Sequence, residues 1–168
     1  MDRHIFLVGM PGSGKSALGR RVAQKLQIPY LDTDVYLTEV TGMDTAQLYA
    51  AFGEKAFRDA ETRLLQRLIN ATPGIISTGG GVCLREENRR IMHDHGLIVL
   101  IDRPIDDIML DIRAEKRPFL AQKGREEVER IYNERMPIYQ GAADVVMDNG
   151  NGFHNGLAAL EEIVRSRG

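Results

Sequence analysis

Residues Gly9 to Ser16 read GMPGSGKS, behind the apolar run IFLVG and ahead of ALGRRVAQKL. Three glycines and a lysine fall within these eight residues. The spelling satisfies Gly-x-x-x-x-Gly-Lys-Ser, with a strand expected before it and a helix after it, the setting in which this pattern forms a phosphate-binding loop. Glycines let consecutive backbone N–H groups turn inward around phosphate oxygens, where a Cβ would obstruct the approach. A helix beginning near Lys15 adds the positive end of its dipole. In that arrangement Lys15 contacts the β- and γ-phosphates and the Ser16 hydroxyl ligates Mg²⁺. The plainer reading is a glycine-rich turn that joins strand to helix; the full pattern with these flanks favours the phosphate loop. A nucleoside triphosphate is the expected ligand.

Outward from the loop, short apolar runs recur at residues 5–9, 29–31, 75–78, 97–102 and 143–147. Runs of this length, bounded by Gly, Pro or Asp, suit strands buried on both faces of a parallel sheet. Leu18, Val22 and Leu26 repeat every fourth residue on the segment after the loop, as one face of a helix requires. A longer helix is expected over about residues 54–69, with Phe57, Leu64, Leu65 and Leu68 as its buried stripe, and NGLAALEEIVRSR closes the chain as another. Strand–helix alternation predicts an open, three-layer α/β/α fold with right-handed crossovers. Residues 34–52 and 113–125 fit the alternation poorly. Such insertions tend to sit at the ligand end of the sheet, as substrate platforms or lids. The 168 residues suit one domain, and no repeat, low-complexity tract or linker divides them.

A net charge of -2 argues against a general nucleic-acid binder while leaving room for a local basic site for a small anion. One cysteine, Cys83, cannot form an internal disulfide, so nothing points to an oxidising compartment. MDRHIFLVG reads as a first strand and not as a signal peptide or membrane span. A cytoplasmic location is expected.

The phosphate loop alone does not choose among kinases, ATPases and GTP switches, although no guanine-reading Asn/Thr-Lys-x-Asp is present. Acceptor-side candidates follow it. In LDTD, Asp32 and Asp34 are two apart, so on an extended segment they would share a side. Such a pair either flanks a cation and a proton-bearing ligand or is a pair of solvated turn aspartates. In GEKAFRDAE, Glu54 and Glu61 bracket Arg58 at helical spacing. That spacing makes either a surface ion-pair ladder or an arginine fork oriented for an anionic group. The glycines 79–81 in STGGG either bring main-chain N–H groups close to a ligand or form a plain loop. Arg117 and Arg135 are candidates on charge alone. His93 and His95 lack companions of the kind a metal site needs, Cys83 reads as small apolar filler, and REENRR as a solvated helix face.

In order, GMPGSGKS, LDTD, GEKAFRDAE, STGGG, RPFL and ERMPIY resemble the shikimate kinases, small P-loop enzymes of the nucleoside-monophosphate-kinase type, over nearly the whole chain. The resemblance implies a five-stranded parallel sheet in the order 2-3-1-4-5, a substrate-binding excursion over residues 34–60 and a lid over residues 113–125. It implies ATP contacts from Gly12, Ser13, Gly14, Lys15, Ser16, Ala17 and Arg117, and Mg²⁺ held near Ser16 and Asp32. It further implies that Asp34 contacts the shikimate hydroxyls, that Arg58 and Arg135 hold its carboxylate, and that Gly79, Gly80 and Gly81 line the pocket. Lys15, Asp34 and Arg117 would be catalytic. The implied reaction moves the γ-phosphoryl group of ATP to the 3-hydroxyl of shikimate, in chorismate and aromatic amino-acid biosynthesis, in a monomer with no nucleic-acid or membrane partner. The family's usual RPLL is RPFL here, only three residues separate Arg113 from Arg117, and DNGNGFHN follows no clear family pattern, so no adenine contact is assigned. A kinase for another small acid such as gluconate, and a nucleotide switch without chemistry, are the rival readings. An acceptor-dependent release of ADP separates all three.

Overall fold

A computed structural model describes residues 1–114 and 124–168. Five strands form one sheet: β1 (His4–Val8), β2 (Tyr30–Asp32), β3 (Ile75–Ser77), β4 (Gly96–Asp102) and β5 (Val145–Asp148). Their order is β2-β3-β1-β4-β5 and every neighbouring pair is parallel, as expected. β1 is the centre, with Ile5 paired to Ile75 on one side and Leu97 on the other. The described helices are α1 (Lys15–Leu26), α2 (Thr33–Thr41), α3 (Thr45–Leu68), α4 (Glu86–His95), α5 (Ile105–Ala114), α6 (Gly124–Ala142) and α7 (Phe153–Arg167). A short 3-10 turn at Val82–Leu84 follows the glycine triplet.

Strand alternation sorts the core into two layers. Ile5, Leu7, Val99 and Ile101 pack with Leu18 and Val22 of α1 and Leu160 and Val164 of α7. Phe6, Val8, Ile98 and Leu100 face the other way, onto Leu65, Met92, Ile108, Val128 and Tyr139 from α3 to α6. All five residues of β1 are buried, which is why the strand reads as an unbroken apolar run. Each fully buried Leu, Ile, Val or Phe stabilises the fold by roughly 1.5–3 kcal/mol. Among the described residues no helix is long and apolar enough to cross a membrane.

Three expectations need adjusting. Residues 34–52 are helical apart from a turn at residues 42–44: α2 and the first half of α3 occupy them. They enclose a small separate core of Leu37, Leu48, Phe57 and Leu64. The helix expected from residue 54 is the second half of α3, divided from the first by Gly53 at φ 82°, ψ 168°, a backbone state that suits glycine. Finally, α5 extends to Ala114 and α6 begins at Gly124, so both ends of the stretch 113–125 are helical. Its remainder, Arg117 included, lies outside the described residues. Because all strands run the same way, the phosphate loop, Asp32 and the glycine triplet leave the sheet at one edge, the ligand edge of open α/β sheets.

Candidate active site

The phosphate loop is built by glycine conformations no other residue adopts easily. Gly9, Gly12 and Gly14 have φ of 140°, 79° and 97°. At Gly9 an added Cβ would lie 2.7 Å from the Ile101 carbonyl oxygen. Gly14 caps α1, so the helix dipole begins at the loop. The Lys15 ammonium folds back over it, donating to the carbonyls of Gly9 and Met10 at 2.8 Å each. Ser77 Oγ donates to the Lys15 carbonyl at 3.1 Å, and the Tyr30 hydroxyl lies 3.2 Å from the Ser16 carbonyl, tying α1 to the neighbouring strands. Ala17 is exposed on the first turn of α1.

The Ser16 hydroxyl donates to Asp32 Oδ2 at 2.5 Å. A phosphate-bound Mg²⁺ keeps several waters and takes only one or two protein oxygens. This hydroxyl–carboxylate pair beside the loop fits that requirement. Among the described residues no cluster of three or more His, Cys, Asp or Glu forms a larger metal cage.

Asp32 and Asp34 do not sit side by side on a strand. The chain leaves β2 at Asp32, whose Oδ1 accepts from the backbone N–H groups of Asp34 and Val35 at 3.0 and 3.2 Å and caps α2. Capping ends the strand, so period-two alternation no longer applies. Asp34 therefore stands on the first helical turn, against the glycine triplet: a Cβ added to Gly79 would lie 2.5 Å from Asp34 Oδ1.

The other two glycines complete a junction. A Cβ on Gly80 would lie 2.9 Å from Pro11 of the phosphate loop and 3.3 Å from Arg135 Nη1, and one on Gly81 would fall on the Arg58 guanidinium. Three successive glycines thus bring together Asp34 from α2, Arg58 from α3, Arg135 from α6 and the phosphate loop itself. The triplet is held from behind: the Gly79 N–H donates to Thr33 Oγ1 at 2.9 Å, and the Tyr139 hydroxyl donates to the Gly80 carbonyl at 2.5 Å.

Arg58 is oriented by Glu61, Nη1 to Oε2 at 2.7 Å, with Glu61 almost wholly buried. The three-residue spacing makes this pair, while Glu54 lies within electrostatic reach of Tyr49 instead. Arg58 Nε is buried and has no hydrogen-bond partner. Burial pushes the Glu61 carboxyl up, opposed by Arg58 and Arg135 and reinforced by Asp34, so all four charges share one field. Burial also pushes the Tyr139 phenol up to about 12, which keeps it a neutral donor. Cys83, beneath the triplet, is likewise raised to about 12 by burial and belongs to the core, as its sequence setting suggests.

Sequence reasoning missed the residues that act through backbone carbonyls. Arg103 Nη1 donates to the Gly12 carbonyl at 3.0 Å and pairs with Asp111. Asn149 Nδ2 donates to the Ser13 carbonyl at 2.9 Å. Thr33 and Tyr139 lie inside recognised motifs, but nothing in the spacing assigns them a backbone partner.

Comparison with known proteins identifies the family. Residues 11–165 match the shikimate kinase family profile. The chain is 35% identical over 164 residues to a shikimate kinase of Clostridium beijerinckii, covering 98% of this chain and 96% of that one. A solved structure of shikimate kinase from Acinetobacter baumannii in complex with shikimate superposes with a TM-score of 0.87 at 26% identity, covering 97% of this chain and 91% of the other. Shikimate kinase from Bacteroides thetaiotaomicron gives 0.87 at 28% identity, covering 97% and 98%. With a nucleotide loop and an arginine-lined pocket meeting at one glycine triplet, and matches over nearly the whole chain, this chain belongs to the shikimate kinase family, kinases that phosphorylate shikimate using ATP.

Proposed function

We propose that this chain transfers the γ-phosphoryl group of ATP to the 3-hydroxyl of shikimate, giving shikimate 3-phosphate and ADP. The observation that carries this reading is the junction at Gly79–Gly81, where Asp34, Arg58, Arg135 and Pro11 each press on the same three residues. An acceptor held there lies beside the phosphate loop, as in-line transfer requires.

Arg58 and Arg135 grip the shikimate carboxylate. A planar guanidinium matches a carboxylate bidentately, and the unpartnered Nε of Arg58 is a buried donor kept for such a ligand. Asp34 orients the 3-hydroxyl and accepts its proton as that oxygen takes the phosphoryl group. Proton removal can come late because the transition state is loose. Lys15 moves from the Gly9 and Met10 carbonyls to the β- and γ-phosphate oxygens, a short displacement for a flexible stem with three donors. Ser16 and Asp32 would hold Mg²⁺, which would supply neutralisation of the phosphate charge. Arg117 is assigned the remaining charge neutralisation, and residues 113–125 the role of a lid that excludes water as a competing acceptor. Both of these rest on the family resemblance. The chain is taken to act in the cytoplasm, as its sequence leads one to expect, and as a monomer, as the family resemblance implies.

The test is a coupled ADP-release assay with Mg²⁺ and ATP, run with shikimate, with gluconate and with neither. Release that depends on shikimate alone is expected. Dependence on gluconate, or no acceptor dependence at all, would replace this function with one of its rivals.

A further inference from the structure

A trans peptide points its C=O and the following N–H in opposite directions. In the peptide joining Ser13 to Gly14, the carbonyl accepts from Asn149 Nδ2 at 2.9 Å. Asn149 lies just past the end of β5, behind the phosphate loop and only 8% exposed, with its own N–H on the Asp102 carbonyl at 2.7 Å. The Gly14 N–H at the opposite edge of that peptide is therefore turned away from the Asn149 amide.

The surroundings are shaped around this amide. A Cβ on Gly14 would lie 2.7 Å from Asn149 Nδ2, and one on Gly156 of α7 would fall on Oδ1. Oδ1 is buried without a hydrogen-bond partner. An unpaired buried acceptor costs stability that an apolar side chain at this position would not. What the amide supplies is its donor to the loop. Arg103 acts alike one peptide earlier, donating to the Gly12 carbonyl at 3.0 Å while pairing with Asp111.

We infer that Asn149 is a positioning residue for the nucleotide: from behind the loop it fixes the Ser13–Gly14 peptide so that the Gly14 N–H is presented to a phosphate oxygen, with Arg103 fixing the Gly12 carbonyl beside it. The inference rests on the reading of this loop as the ATP site and extends it to two residues outside the loop.

Asn149→Asp keeps the shape but sets an acceptor against the Ser13 carbonyl. Titration calorimetry with ADP and Mg²⁺ should show about tenfold weaker binding, and KM for ATP should rise by a similar factor. KM for shikimate and the turnover rate should stay within about twofold. Asn149→Ser, a smaller change, serves if the Asp variant does not fold, with an intermediate loss expected. Unchanged ADP affinity in a folded variant would overturn the inference. So would ADP and shikimate affinities falling together, since that is the mark of a merely structural role. The ADP titration needs no acceptor, so a wild-type chain inactive toward shikimate would refute the proposed reaction and leave this test standing.

Discussion

Asp32 divides its two carboxylate oxygens between two tasks. Oδ2 takes the Ser16 hydroxyl beside the phosphate loop, and Oδ1 caps the helix that carries Asp34. The residue assigned to the metal thus also places the residue assigned to the acceptor. Asp34→Asn preserves shape and the α2 cap but removes the proton acceptor, so steady-state kinetics should show turnover lower by roughly 10²–10⁴-fold. ADP affinity should be nearly unchanged, and near-normal turnover would remove Asp34 from the base role. At this scale residue type and fixed spacing make Lys15, Ser16 and Arg58 with Glu61 legible as candidates, whereas the spacing of Asp32 and Asp34 misleads, because the Asp32 cap ends the strand on which the two would share a side. The sequence was silent on Arg103 and Asn149. Both reach backbone carbonyls of the loop from far along the chain, 91 and 136 residues away, and a carbonyl leaves no trace in the identity of its residue.

Elements were legible in proportion to their periodicity. β1 and β4 are continuous apolar runs and were placed within one residue of their observed ends. α2 was hidden because only Thr33 and Leu37 are buried on it, too few to print a helical stripe. Its start is encoded by a cap, as is that of α3, where Asp44 and Gln47 form a reciprocal capping box. β1 also carries a pH dependence. His4 is buried at its first position, with Nδ1 accepting from the Gly74 N–H at 3.3 Å, and Nε2 has no hydrogen-bond partner. Burial holds the His4 imidazole below its ordinary value of 6.5, outweighing the opposing effect of the Ile69 and Gly74 backbone, with a smaller lowering from His95. The unfolded chain then binds the proton more readily than the folded one. The stability of the neutral ring is full above pH 6.5 and is lost as pH falls toward the lowered folded value, each unit of lowering being worth about 1.4 kcal/mol. His4→Gln, which offers Gly74 an amide oxygen in place of Nδ1, should lose less stability than wild type between pH 7.5 and 5.5 in chemical denaturation. The other three histidines are exposed. Equal losses in the two proteins would discard His4 as the titrating group.

In the whole molecule, the parallel sheet makes the site possible. Because β1, β2 and β3 end at the same edge, the phosphate loop, the α2 cap and the glycine triplet emerge together, and helices from both halves of the chain bring Arg58 and Arg135 to them. The architecture and its strand order followed from strand–helix alternation and the family resemblance. The meeting at Gly79–Gly81 did not, because which side chain presses on which glycine is decided by packing between elements distant in sequence. That meeting is the central claim, and a crystal structure of the protein with ADP, Mg²⁺ and shikimate tests it most directly. The account predicts the shikimate carboxylate between the Arg58 and Arg135 guanidinium groups, with its 3-hydroxyl within hydrogen-bond reach of Asp34 and turned toward the ADP phosphates. Shikimate seated away from the glycine triplet, or with its carboxylate on other residues, would contradict it.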